Sequence, residues 1–267
     1  MPLYKEQGVV LRSVKLGEAD KIVTVMTQGS GKVRAVAKGI RKTTSRFGAR
    51  LEPITHVSLL VYRGRGALDT VSQAEIVSPF RALRTDLALF AAAEAMLEAV
   101  DKVAEEHERN VRLFMLLING LRALDARPAD PAAVAESFLL KLLSLSGFHP
   151  ALTTCAVCGR PAPERFSSGQ GGAVCADDAE FDSGPASGGA LAFLATLGGT
   201  GLLEAGAMDA DSTVRRESRA LLFGFTEYHL ERRMKSLPML ARSLGGPVSS
   251  WSERERSSAS PQERVAT

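Results

Sequence analysis

The chain has 267 residues, 45% of them hydrophobic and 24% charged, and its formal net charge is +3. This length and composition allow two domains with a sizeable core. The sequence contains no apolar run near the roughly 20 residues that a membrane-spanning helix needs, and the N-terminal MPLYKEQ lacks the apolar core of a signal peptide. We therefore expect a cytoplasmic protein that does not enter membranes.

Five short segments in residues 1–80 show the β-branched and alternating pattern of strands. In the third segment, Val33, Ala35 and Ala37 alternate with Lys32 and Arg34, which predicts one buried face and one largely cationic face. Five strands in so short a domain fit a small closed barrel, and we predict an OB-fold. The predicted strands span residues 8–14, 21–27, 32–38, 55–62 and 68–77.

The apolar residues of 81–244 follow helical spacing instead. Three helices are predicted between 81 and 146, and two more at 190–197 and 212–234. Residues 151–188 interrupt this helical domain with a loop-rich insertion. The final residues, 245–267, are rich in Ser, Arg and Glu without apolar periodicity, which predicts a disordered tail. The fold class is thus α+β and multidomain, a barrel followed by an all-α domain.

Positive charge is concentrated in the predicted barrel. Residues 1–80 contain 13 Lys+Arg and 6 Asp+Glu, a net +7, which leaves −4 for the rest of the chain. Such a surface suits the phosphates of nucleic acid, whereas a single basic strand would indicate only a solvated edge that deters aggregation. The barrel has few aromatic residues for base stacking, so we expect backbone contacts with little sequence preference. The candidate DNA-binding residues are Lys32, Arg34, Lys38, Arg41, Lys42, Arg46, Arg50, Arg63 and Arg65.

The three cysteines have the spacing of a metal site rather than of a disulfide framework. Cys155 and Cys158 form a Cys-x-x-Cys-Gly knuckle, and Cys175 follows with Asp178 where a second knuckle would place its last cysteine. A carboxylate can complete a zinc site, so we predict a structural zinc ion on Cys155, Cys158, Cys175 and Asp178. Asp177 and His149 are alternative fourth ligands, and a loop that folds without metal is the alternative to a zinc site.

Motifs for catalysis are weak. Lys32 follows Gly29-Ser-Gly, but a phosphate-binding loop needs Gly at the position of Met26 and Ser or Thr at Val33. The zinc deaminase pattern is also missing, and the four histidines have no recognisable partner spacing. We therefore predict a protein that is not an enzyme. The alternatives are a zinc-dependent enzyme that modifies nucleic acid and an OB-fold scaffold that binds protein.

Short motifs occur in a characteristic order along almost the whole chain. The most specific is GKVRAVAKG at 31–39 together with SRFG at 45–48. The others are GVVL at 8–11, GEAD at 17–20, LEP at 51–53, YRGRG at 62–66, GFHP at 147–150, the cysteine loop and RMKSL at 233–237. Together, from about residue 4 to residue 244, these motifs resemble the bacterial RecO family of recombination mediators.

The resemblance implies an N-terminal OB-fold, a helical domain and a zinc-finger-like insertion. It implies binding to single- and double-stranded DNA, annealing of complementary strands, and loading of recombinase onto DNA coated by single-strand-binding protein. The implied partners are RecR and the acidic C-terminal tail of single-strand-binding protein, and the implied location is the nucleoid. Asp178 departs from the family pattern, which usually has cysteine there.

An acidic tail needs an apolar groove with basic flanks. The predicted C-terminal helix could supply one, because its apolar residues lie beside Arg232, Arg233 and Lys235. Plain packing of this helix into the core is the alternative. The apolar residues concerned are Leu221, Phe223, Phe225, Tyr228 and Leu230.

Overall fold

The computed structural model describes residues 3–43, 45, 47–64 and 66–243. Two of the candidate DNA-binding residues, Arg46 and Arg65, lie outside the described residues, as does the predicted tail at 245–267.

The N-terminal part forms a closed barrel of five strands, which confirms the predicted OB-fold. Neighbouring strands pair antiparallel except β3 with β5, which pair parallel, and the order around the barrel is β1-β2-β3-β5-β4. The alternation predicted for β3 is also confirmed, since Val33, Ala35 and Ala37 are buried. The strands are β1 (Leu3–Leu16), β2 (Asp20–Thr27), β3 (Gly31–Ala37), β4 (His56–Tyr62) and β5 (Asp69–Ser78).

The barrel has its own core, separate from the core of the helical domain. Residues such as Val10, Val25 and Val61 point inward and pack against one another. Their neighbours Val9 and Met26 point outward and are buried in the core that the helices form. One side of the barrel's outer surface is therefore covered by the helical domain.

Helices make up most of the second part, as predicted. The side chains of Asp86, Asn110 and Asp130 cap the first three helices by accepting backbone N–H bonds. None of the described helices is both long and apolar enough to cross a bilayer. The helices are α1 (Leu87–Val103), α2 (Val111–Asp125), α3 (Pro131–Leu145), α4 (Gly188–Gly199), α5 (Leu202–Ala205), α6 (Ser212–His229) and α7 (Ser236–Ser243).

The predicted last helix, 212–234, is wrong at its C-terminal end. Helix α6 stops at His229, and Glu231 adopts a left-handed backbone with φ of 51°. The chain then turns and begins α7, which the sequence analysis missed. Pro238 lies in the first turn of α7, where its missing N–H breaks no helical hydrogen bond.

The insertion contains more regular structure than its loop-rich sequence indicates. Three short strands, β6 (Arg165–Ser167), β7 (Gly172–Val174) and β8 (Gly184–Pro185), form a small sheet in the order β7-β6-β8. The sheet packs on α6 through Phe166 and Phe225, whose ring centroids are 5.8 Å apart. We call residues 151–188 the finger.

A polar contact joins the barrel to the helical domain, and we call it the seam: the start of β3 against residues 101–108. The Lys32 ammonium donates to the Asp101 carbonyl oxygen at 2.7 Å and lies 3.7 Å from the Asp101 carboxylate, which also binds Arg12 at 2.7 Å. The His107 N–H donates to the Lys32 carbonyl. A Cβ on Gly31 would lie 1.9 Å from the Glu108 carbonyl oxygen, so the seam requires glycine there.

Helix α7 is attached to α1 through one carboxylate. Glu98 accepts hydrogen bonds from the Lys235 and Ser236 N–H groups at 3.0 and 2.8 Å and from the Ser236 hydroxyl at 2.6 Å. Burial opposes ionisation of Glu98, but the hydrogen bonds from Ser236 and Lys235, with Lys102 nearby, outweigh it and lower its pKa. The carboxylate thus occupies the N-terminus of α7, where negative charge is favourable.

We expect Glu98→Ala to lower the free energy of unfolding by about 1–2 kcal/mol, because three hydrogen bonds to a charged group are lost. A lowered pKa in the folded state means that this contribution is complete above the ordinary carboxyl pKa of 4.5 and fades as pH falls. Denaturant unfolding of both proteins from pH 7 to pH 3 measures the difference. Glu105→Ala, at an exposed glutamate, is the matched control. A difference that persists unchanged at pH 3 would contradict the role of the carboxylate.

Candidate nucleic-acid interface and candidate metal centre

A row of outward side chains winds around the barrel. Register places Tyr62 beside both Leu3 and Thr70, Thr70 beside Val36, Val36 beside Ile22, and Ile22 beside Val14. Cross-strand partners share one face of a sheet, so these six side chains cross all five strands. Leu3, Val14 and Tyr62 are 47%, 48% and 41% exposed, and the other three are partly exposed. We call this set the outer row.

Four of the predicted DNA-binding residues lie at the ends of the strands that carry the outer row. Lys38 and Lys42 are exposed, and the structure gives their ammonium groups no polar partner among the described residues. Arg41 donates to the Gly17 carbonyl at 3.0 Å, which joins the segment after β3 to the β1–β2 turn. Arg63 follows directly after Tyr62, and its guanidinium lies 5.2 Å from the centre of the Tyr4 ring.

Other residues of the predicted set have partners within the protein. Lys32 is only 14% exposed and lies in the seam with Asp101. Arg34 faces Glu106 at 3.5 Å. Arg50 donates to the Phe47 carbonyl at 3.3 Å. The cations after β2 are thus divided: Lys32 and Arg34 bind the helical domain, whereas Lys38, Arg41 and Lys42 are exposed.

The barrel has four aromatic residues, and they also differ in exposure. Phe47 and Phe80 are buried. The Tyr4 hydroxyl donates to Asp69, and burial together with this bond raises the pKa of Tyr4 far above its ordinary value. Tyr62 is the exposed one of the four. The sequence analysis did not single it out, although its position just before Arg63 at a strand end was a usable signal.

Three cysteines and one aspartate come together in the finger. The donor atoms of Cys155, Cys158, Cys175 and Asp178 all lie within 4.8 Å of one another. Gly159 makes this possible, because its φ of 75° lets its N–H turn back to the Cys155 carbonyl and close the knuckle. The two alternative ligands lie elsewhere: Asp177 pairs with Arg160, and the His149 ring contacts the Ser144 hydroxyl.

The separation of two sulfurs in the cluster fits a tetrahedral ion. Sulfur ligands at about 2.3 Å from zinc stand about 3.8 Å apart, and the Cys158 and Cys175 sulfurs are 3.7 Å apart. The Asp178 carboxylate is 3.3 Å from the Cys155 sulfur and 2.9 Å from that of Cys175. These four residues can hold a zinc ion, which would cross-link the knuckle to the segment after β7.

Without a bound metal, the Cys155 and Cys175 thiols donate hydrogen bonds to the Asp178 carboxylate. Hydrogen bonds from the three thiols, that of Cys158 first, lower the pKa of Asp178 to about 2. The bond to Asp178 raises the pKa of Cys175 to about 11, and the backbone N–H of Cys158 lowers that of Cys155. Arg160 donates to the sulfurs of Cys158 and Cys175 at 3.3 and 3.4 Å. This cation offsets part of the negative charge that three thiolates and a carboxylate carry.

The predicted partner-binding residues near the C-terminus lie at the surface. Leu221 and Phe225 are buried in the helical core, while Tyr228 is exposed. Arg232, Arg233 and Lys235 lie in the exposed turn between α6 and α7. A second candidate, an apolar groove with basic flanks, lies between α2, α3 and α5 and has a cavity volume of about 570 Å³. Its lining includes Leu116, Ala123, Leu202 and Leu203, with Arg122 and Lys141 as the cations and Glu204 as an acidic residue.

The structure defines a class of protein: an OB-fold barrel joined to a helical domain that carries a cysteine-rich finger. Comparison with known proteins identifies the family. A family model described as Recombination protein O N terminal matches residues 1–80, and one described as Recombination protein O C terminal matches residues 84–238. The chain therefore belongs to the RecO family.

Curated relatives match over nearly their whole length. The DNA repair protein RecO of Frankia casuarinae is 45% identical over 249 residues, which cover 91% of this chain and 100% of the relative. The protein of the same name from Bifidobacterium longum is 42% identical over 243 residues, covering 90% of this chain and 99% of the relative. That from Streptomyces coelicolor is 40% identical over 248 residues, covering 89% and 98%.

Proposed function

We propose that this RecO-family protein acts in recombinational DNA repair by binding single- and double-stranded DNA and annealing complementary strands. By the same resemblance, it helps to load recombinase onto DNA coated by single-strand-binding protein, at the nucleoid. The observation that carries the proposal is the solvent-facing side of the barrel, where Lys38, Arg41, Lys42 and Arg63 accompany the outer row. OB-folds bind oligonucleotides with this strand 2–3 face and the adjoining loops.

Annealing of complementary strands needs a positively charged surface rather than a catalysed reaction. Two strands repel each other through their phosphates, and a cationic surface reduces that repulsion without ATP. The metal cluster supports a structural role, because four protein donors fill a tetrahedral site and leave no position for a reacting water. We therefore favour a mediator that is not an enzyme over a zinc-dependent enzyme. We also propose that residues 1–80 form the DNA-binding domain and residues 81–244 the helical domain.

For partners, the resemblance supports RecR and the tail of single-strand-binding protein. The groove between α2, α3 and α5 meets the chemical requirement for the tail better than α6 does. Arg122 is exposed, and the Lys141 ammonium donates only to neutral oxygens, those of Ser137, Gly198 and Thr200. Arg122 is thus available to a tail carboxylate, whereas the three N–H donors of Lys141 already have partners, so Lys141 contributes positive charge alone.

We expect the double variant Lys38→Ala/Lys42→Ala to weaken DNA binding and to slow annealing. Each lost phosphate contact reduces the slope of log K against log salt by about 0.7 on single strands and about 0.9 on duplex. The measurement is fluorescence anisotropy and annealing of two complementary oligonucleotides without ATP, from 50 to about 300 mM salt.

Arg216→Ala is the control for that variant, because it removes an exposed charge on α6 and leaves the barrel unchanged. It should bind and anneal DNA like the parent protein. Unchanged affinity and salt slope in the folded double variant would place the DNA site elsewhere. DNA binding that never responds to salt would favour the alternative of a protein-binding scaffold.

We expect the protein to retain about one zinc ion per chain, held by the four residues of the cluster. Asp178→Ala should reduce zinc affinity by more than about 100-fold, since losing a ligand costs more than losing an outer partner. Asp178→Cys should retain the ion. Asp177→Ala is the matched control, because that carboxylate binds Arg160 outside the cluster. Metal analysis after dialysis against a weak chelator decides the matter, and a parent protein without zinc would disprove the site.

We expect Arg122→Glu to weaken binding of a synthetic acidic peptide, with an apolar residue at its free C-terminus, by about tenfold. The reversed charge repels the peptide carboxylates at the edge of the groove. Isothermal titration at low salt measures the affinity, and Arg216→Glu controls for net charge. Loss of binding in Arg232→Ala/Arg233→Ala, but not in Arg122→Glu, would instead place the tail at the turn between α6 and α7.

A further inference from the structure

The outer row has a chemical character that phosphate binding does not explain. Five of its six members are apolar, and none of the six belongs to the core that the helices form. Phosphates bind cations and hydrogen-bond donors, whereas exposed apolar and aromatic side chains bind the faces of unpaired bases.

Tyr62 is the member best suited to contact a base. It is 41% exposed, and its cross-strand neighbours Leu3 and Thr70 border it on either side. Unlike Tyr4, whose hydroxyl is held by Asp69, Tyr62 has no hydrogen bond recorded among the described residues.

We propose that Tyr62 is a base-stacking residue, and that the outer row gives the barrel a preference for unpaired over paired DNA. The proposal rests on the proposed function, since it assumes that DNA occupies this face. Bases in a duplex already stack on each other and hide their faces, so an aromatic contact favours single strands. Stacking accepts every base, which agrees with binding without sequence preference.

The test separates the base contact from the phosphate contact. Binding of an oligo-dT strand is compared with binding of an abasic deoxyribose-phosphate strand of the same length, by fluorescence anisotropy. Tyr62→Ala should weaken dT binding by about tenfold, leave abasic binding unchanged and keep the same salt slope. Tyr62→Phe should retain most of the dT affinity.

Two further variants control for folding and exposure. Tyr62→Thr keeps a residue that favours strands, so a loss it shares with Tyr62→Ala is not a folding defect. Tyr228→Ala removes another exposed tyrosine, on α6, and should change neither affinity.

The outcomes distinguish the two proposals. If Tyr62→Ala weakens binding of both strands equally, or of neither, the stacking role is wrong. Normal dT binding by this variant would favour a protein partner for the outer row. If Lys38→Ala/Lys42→Ala also leaves both affinities unchanged, the proposed DNA face itself is wrong. If only the lysine variant binds weakly, the face stands and Tyr62 has no part in it.

Discussion

The seam between β3 and residues 101–108 is the contact on which the rest of the arrangement depends. The backbone of Glu108 lies against Gly31 so closely that no side chain could fit between them. This approach turns Val9 and Met26 toward the helical core and therefore decides which side of the barrel is covered. Outward side chains farther from the seam, such as Lys38 and Tyr62, are left exposed. A barrel rotated by one strand would cover a different set of cations.

The seam also explains why the sequence predicted the barrel but not which of its outward cations face solvent. Alternation in β3 is a local property, so one buried face and one outward face could be predicted from Val33, Ala35 and Ala37. Which outward cations remain available depends on Asp101 and Glu106, about 70 residues away in the chain. No local pattern reports such a pairing. Lys32 and Lys38 look equivalent in sequence, yet one holds the domains together and the other faces solvent.

The metal cluster was more predictable because its geometry is local. The Cys-x-x-Cys knuckle closes on itself through Gly159, and Asp178 lies only three residues after Cys175, so short-range turns bring the carboxylate to the sulfurs. The sequence did not predict the short strands that surround the cluster. The strands of the finger are only two or three residues long, too short for an alternating pattern to show. Helix α7 was missed for a related reason: it depends on Glu98, a cap supplied by a distant helix.

The proposed division of the barrel surface into phosphate-binding cations and one base-stacking tyrosine has a consequence for annealing. A surface that bound every base tightly would hold a strand but hide the edges that must pair with the complement. On the proposed DNA face, cations such as Lys38 and Lys42 contact phosphates and leave base edges free, whereas an aromatic platform occupies base faces. In this proposal a single stacking residue among many cations orders one nucleotide while its neighbours stay available for pairing. The proposal further implies that, once a duplex forms, that base stacks on its new neighbours, the contact with Tyr62 is lost, and the product is held by charge alone.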